Sequence, residues 1–181
     1  MLHLKNITAG HPKTAEQYQM TKQHGITWLF SEDDKNWYEE LKNFASDTIK
    51  MVYTGDGRVV WVGKDVTGIE PRNASVIEVP DITANRRITV PGYWFYRDDK
   101  FVFDYKLKAE DERDALLQQA SIMTSEWEKD LLLGLISDED RERLKAYRIY
   151  AKSLQAMDFN IITDKTSYNA IEWPVSPEAS S

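Results

Sequence analysis

Carboxylates are the most abundant chemistry-bearing groups of this chain, thirty Asp and Glu against twenty-three Lys and Arg. They gather at Asp33 and Asp34, over 110–114 and over 138–140. Paired carboxylates can serve as general acid and base, or hold calcium. Two of these three clusters fall at expected helix starts, where carboxylates act as caps, and none has the glycine-punctuated spacing of a calcium loop. The histidines, His3, His11 and His24, all lie in the first 25 residues, and no two stand at metal-ligand spacing. Gly57, Gly63 and Lys64 approximate a phosphate-binding loop. Five residues separate those glycines, however, and Asp65 stands where Ser or Thr would bind magnesium. Neither a nucleophile elbow nor a dinucleotide fingerprint occurs, and the absence of cysteine removes thiolate chemistry and disulfides. Sequons at 6–8 and 73–75 carry little weight without a secretion signal. The chain therefore reads as non-enzymatic, with no cofactor and no metal implied.

Aromatic residues offer a different task. Six Trp and nine Tyr are many for this length, and rings with one polar end are enriched at protein interfaces as well as in cores. At the C-terminal end, Pro174 pushes Trp173 toward an extended backbone and Pro177 stiffens the next few residues. Such a segment has little entropy left to lose and suits docking into a groove. The competing arrangement has Ile171 and Trp173 folding back onto the chain's own helices.

Two helices must position that tail. Leu116, Ala120, Met123, Trp127, Leu131 and Leu135 recur at helical spacing, and Leu144, Tyr147, Ala151, Leu154 and Met157 repeat the pattern. Ser137 with Asp140 approximates an N-cap and capping box for the second helix. Its acidic start at 138–140 and later cations Lys145, Arg148 and Lys152 agree with the helix dipole. The two stripes are expected to bury each other in a hairpin.

Upstream the signals are those of strands. Residues 2–7 read as a first strand, Thr14 with Gln17 opens a short helix that Gly25 ends, and 26–30 reads as a strand paired with 37–39 in a hairpin. A helix containing Trp37, Leu41 and Phe44 is the alternative there. Ile49, Met51 and Tyr53 alternate up to an Asp-Gly turn and are answered by 59–62. A strand over 74–79, an exposed turn at Arg86 and Arg87, and a hairpin joining 93–96 to 101–105 complete the series. The fold class is thus α+β: a β-rich N-terminal domain over 1–105, then a helical hairpin with an extended C-terminal tail over 106–181.

With 181 residues and a net charge of −7, the chain has no block of Lys and Arg interleaved with aromatics, so the footprint of a nucleic-acid binder is missing. The same balance disfavours an anionic membrane, and no run of about 18 apolar residues or signal-peptide core occurs. A soluble cytoplasmic protein is expected.

Several segments, in order, carry a resemblance: LHLKNI at 2–7, SEDDKNWYEE at 31–40, DTIKMVY at 47–53, VIEVPDIT at 76–83 with Asn85, Arg86 and Arg87 shortly after, SDEDRERLKAYR at 137–148 and IEWPVSP at 171–177. The chain resembles the tail fibre assembly proteins of tailed bacteriophages, the chaperone family of the Mu and lambda type, nearest the Mu branch. It departs over 149–157, where relatives tend to carry a Val and Leu run. The resemblance implies a dedicated chaperone in the host cell cytoplasm that binds the C-terminal region of a trimeric tail fibre protein and promotes its folding and trimerisation. In some members the chaperone stays at the fibre tip, where it could affect host-surface recognition. On this reading Trp127, Tyr147, Trp173 and Pro174 are the expected fibre contacts, with self-association of the free protein left open. A carbohydrate-binding module using Trp28, Trp37 or Trp94 as a stacking platform is the alternative function.

Overall fold

The computed structural model describes residues 1–180 and is an α+β protein of two compact units, Met1–Phe103 and a second from Asp104 onward. In the first unit, β1 (His3–Gly10), β2 (Trp28–Phe30), β3 (Ile49–Thr54), β4 (Val59–Gly63) and β5 (Ala74–Val79) form an antiparallel sheet in the order β2-β1-β5-β3-β4. The alternation of Ile49, Met51 and Tyr53 sends them to one face, where they pack with Val59, Val79 and Ile88. Val52, with Leu4, Ile7 and Val76, points to the other face and packs with Leu29, Trp37 and Val66. Because both faces are covered, β3 is buried at every position but its last. A bulge at Lys5 and Asn6 shifts the β1–β5 register, and there Ser75 Oγ accepts from Asn6 N at 3.0 Å.

Local signals set several boundaries. Helix α1 (Ala15–His24) starts where Thr14 Oγ1 accepts from Gln17 N at 3.1 Å and ends on Gly25, whose φ of 67° is the left-handed cap. The expected pairing of 26–30 with 37–39 does not form. Trp37–Glu40 is instead a helical turn, α2, capped by Asn36 Oδ1 accepting from Tyr38 N at 2.9 Å, and a single bridge between Phe30 and Asn36 is all the ladder that remains. The turn drives Trp37 into the core at 1% exposure, and Phe44 closes on it with ring centroids 5.9 Å apart. Arg86 likewise ends a short helix, α3 (Thr83–Arg86), rather than an open turn. A second, two-stranded sheet joins β6 (Trp94–Arg97) to β7 (Lys100–Phe103) through Asp98 and Asp99, both at positive φ, and sets Trp94, Tyr96 and Phe101 on the Met51 face.

The second unit is a helical hairpin with a returning tail. Helix α4 (Tyr105–Leu133) begins where Asp104 Oδ1 accepts from Leu107 N at 2.9 Å. It ends in a Schellman motif at Gly134, with Leu135 N donating to Asp130 O at 2.8 Å and Gly134 N to Leu131 O at 3.2 Å. Helix α5 (Asp138–Gln155) starts on Ser137, whose Oγ accepts from Asp140 N at 3.0 Å. On α4 the small residue Ala120 packs against the large Tyr147, Tyr150 and Leu154 of α5, while Ala109 packs on Phe159 and Ile162 beyond it. A short helix not expected from the sequence, α6 (Lys165–Asn169), precedes the tail. Its capping box pairs Asp164 with Ser167.

Candidate protein-binding surface

The four residues singled out from the sequence all sit in the second unit. Tyr147 is buried between α4 and α5, its ring 5.9 Å from that of Trp127 and 6.5 Å edge-on from Tyr150. Burial pushes the Tyr147 hydroxyl up from its ordinary value, and interaction with the Glu178 carboxylate adds to the rise. The tail thus returns over the hairpin. Trp173 lies 5.7 Å ring to ring from Phe159 and half-buried between two apolar clusters, one centred on Tyr150 and Leu154, the other on Phe159 and Ile162.

Two grooves flank this tail. One, of about 730 Å³, is lined by Leu116, Gln119, Tyr150, Trp173 and Pro174. The other, of about 560 Å³, is lined by Met123, Trp127, Tyr147 and Pro177, with Glu142 and Arg143 at its polar margin. Trp173 and Pro174 therefore belong to one groove, Trp127 and Tyr147 to the other, and only part of each ring is offered to solvent. The apolar walls can take aliphatic or aromatic side chains of another protein.

The far end of the hairpin carries residues that the periodicity assigned to the buried stripe. Leu131 and Leu135 are 46% and 72% exposed, and Leu132 and Leu133, outside that stripe, are 86% and 71% exposed. The signal that could have revealed this is compositional. Three consecutive leucines just before a helix-ending glycine spread over about 200° of the circumference of α4, and one neighbouring helix cannot bury them all.

The perturbed acids of the chain are engaged structurally. Glu78 is buried opposite Lys50 in the β3–β5 ladder. Burial pushes its carboxyl up, but hydrogen bonds from Thr48 Oγ1 (2.7 Å), Leu2 N (2.9 Å) and Ala45 N (2.7 Å), with Lys50 nearby, outweigh that and hold it low. Lys50 Nζ in turn donates to the carbonyls of Ala45 and Thr48, so the pair clamps the chain over 45–48 and the N-terminus onto the sheet. Hydrogen bonds from Arg86 and Lys64 hold the Asp81 carboxyl down to about 2. Burial, with a hydrogen bond to Asp99, pushes Tyr96 up to about 12. Each shift is accounted for by a partner that fixes a loop or a turn.

The stacking-platform alternative loses two of its rings. Trp28 and Trp37 are buried, the former donating from Nε1 to Thr21 Oγ1 at 2.8 Å, so neither can meet a sugar face. Trp94 is half-buried and lies edge-on to Phe103 at 5.3 Å. No helix among the described residues is long and apolar enough to cross a membrane.

A two-unit α+β chain with apolar grooves on its helical unit and structurally committed acids has the make-up of a protein-interaction module. The family model of the Caudovirales tail fibre assembly protein, lambda gpK, matches residues 39–178, and the chain belongs to this family. It is 46% identical to tail fiber assembly protein U' of Escherichia phage Mu and 44% identical to U' of Escherichia phage P1. It is 39% identical to the probable tail fiber assembly protein of Escherichia phage P2. Each match covers 98% of this chain and 100% of the relative.

Proposed function

We propose that this protein is a non-enzymatic assembly chaperone that binds the C-terminal region of a phage tail fibre protein in the host cytoplasm, promotes its folding and trimerisation, and remains at the fibre tip. The observation that carries this reading is end-to-end similarity to proteins named for tail fibre assembly, rather than similarity confined to one unit. The grooves of the helical unit support it. An unfinished fibre exposes apolar surface and strand edges that otherwise drive aggregation, and a chaperone acts by covering them during assembly. The solvent-facing parts of Trp127, Trp173 and Pro174 make the contacts in this reading, while Tyr147 supports Trp127 from beneath.

The test is co-expression with the tail fibre protein of the same phage. The soluble fibre trimer is expected to rise severalfold when this protein is present and to co-purify with it. A fibre that trimerises equally well alone would refute the chaperone role, and a fibre that trimerises but releases the protein would refute retention at the tip.

A further inference from the structure

A third groove, of about 520 Å³, opens between α4 and α5 at the exposed end of the hairpin, and its chemistry differs from that of its surroundings. Its apolar lining is Leu131, Leu132 and Leu144, and its rim is Arg141, Lys145 and Arg148 with one acid, Glu128. The three cations recur at intervals of four and three residues, the spacing that lays them along one face of α5. From Asp104 onward acidic side chains outnumber basic ones sixteen to ten, so a cationic rim here runs against the charge of the whole unit. The cations are also weakly committed. Arg141 has no ion pair among the described residues, Arg148 meets Glu128 only at 3.7 Å, and Lys145 meets Glu142 only at 3.6 Å, each in exposed positions.

We propose that this groove seats an aliphatic segment of the fibre polypeptide flanked by Asp or Glu, the leucines taking the apolar side chains and the Arg141–Lys145–Arg148 row pairing with the carboxylates. The inference rests on the chaperone reading and adds to it a site separate from the four aromatic and proline positions. Charge complementarity selects the occupant, because a carboxylate-bearing segment gains the three cations while a basic or neutral one leaves them with only the long contacts to Glu128 and Glu142. A second copy of this chain is the poorer fit. Two molecules of net charge −7 repel.

The experiment co-expresses the full chain with the fibre protein of the same phage and measures captured soluble trimer. The variants are wild type, a charge-reversed R141E/K145E/R148E, a neutral R141Q/K145Q/R148Q, and Leu132→Asp. Thermal melting and sedimentation of each protein alone serve as controls for fold and assembly state. Charge reversal is expected to cut capture about tenfold and neutralisation severalfold, with melting unchanged, and wild-type capture is expected to weaken as salt is raised while that of the neutral variant responds less. If wild type captures the fibre and both triple variants capture it equally well with the same salt response, the groove proposal is overturned and the chaperone reading stands. If wild type itself fails to raise soluble fibre, both fall. A change of oligomeric state in the free variants with fibre capture intact overturns the proposal in favour of a second copy.

Discussion

The two ends of the α4–α5 hairpin are built from one apolar repeat and meet different fates. At the end bearing the tail, Leu154 is fully buried and Ala109, Phe159 and Ile162 form a closed cluster, because α6 and the tail supply a third layer that covers both helices. At the opposite end only α4 and α5 are present, and Leu132, Leu133 and Leu135 stand in solvent. Two helices can bury only the stripe between them. The difference teaches that the same residue type stabilises one end and presents a surface at the other, according to whether a third element is there.

The largest expected effect tests that contrast directly. Leu154→Ala should cost about 3 kcal/mol in urea unfolding, as for other fully buried leucines. The same truncation at Leu132 should cost less than about 0.5 kcal/mol, as for exposed sites generally. Equal losses at the two positions would abolish the distinction. Trp173→Ala comes next. Full burial of a Trp is worth about 3–5 kcal/mol on truncation, so the half-buried ring should be worth about 2 kcal/mol. Far-UV and fluorescence melts of that variant will show whether the tail belongs to the core of its unit. A negligible change would free the tail to act as a mobile docking strand.

The smallest effect concerns pH. Tyr168 of α6 donates to Glu112 of α4 at 2.6 Å. Burial first, and then that hydrogen bond, hold its hydroxyl above the ordinary value. The neutral phenol is therefore the form the folded state prefers. Its contribution is complete below about pH 10, where an unfolded tyrosine ionises, and is lost as pH rises through the higher folded value. Comparing unfolding midpoints of wild type and Tyr168→Phe between neutral and strongly alkaline pH should show a steeper alkaline loss in wild type. Parallel pH profiles would mean that this bond does not tie α6 to the hairpin.

Much of the architecture was legible because it depends on neighbours in sequence. Thr14 and Ser137 announced their helices through a hydroxyl three residues ahead of the amide it caps, and Gly25 closed its helix where a left-handed residue fits, whereas the apolar stripe was carried to Leu135, past the Gly134 cap that ends α4. The Met51 alternation fixed which side chains share a sheet face. What misled was segment 31–40. Aromatic residues after a polar run suit a hairpin, yet burial of Trp37 under the sheet favours a helical turn, and that gain depends on Leu4, Leu29 and Val76 being in place. In the candidate surface, the four expected residues were legible as aromatic and proline positions, but their division between two grooves was not. Of the cationic row, Lys145 and Arg148 were read only as dipole complementarity and Arg141 was not singled out, because nothing in one helix says that leucines from another will lie beside it.

By itself the sequence determined the α+β order, the two long helices and the Ser137 cap of the second, and, through a set of ordered segments, the family. These rest on local spacing and residue type, which are set before any distant contact forms. The tertiary structure alone decided that Trp173 packs on Phe159, that Glu78 is held by Thr48, Leu2 and Ala45, and that the leucines at the end of the hairpin stay uncovered. Burial is set by what arrives from elsewhere in the chain, and an apolar residue becomes core or surface only when its neighbours in space are known.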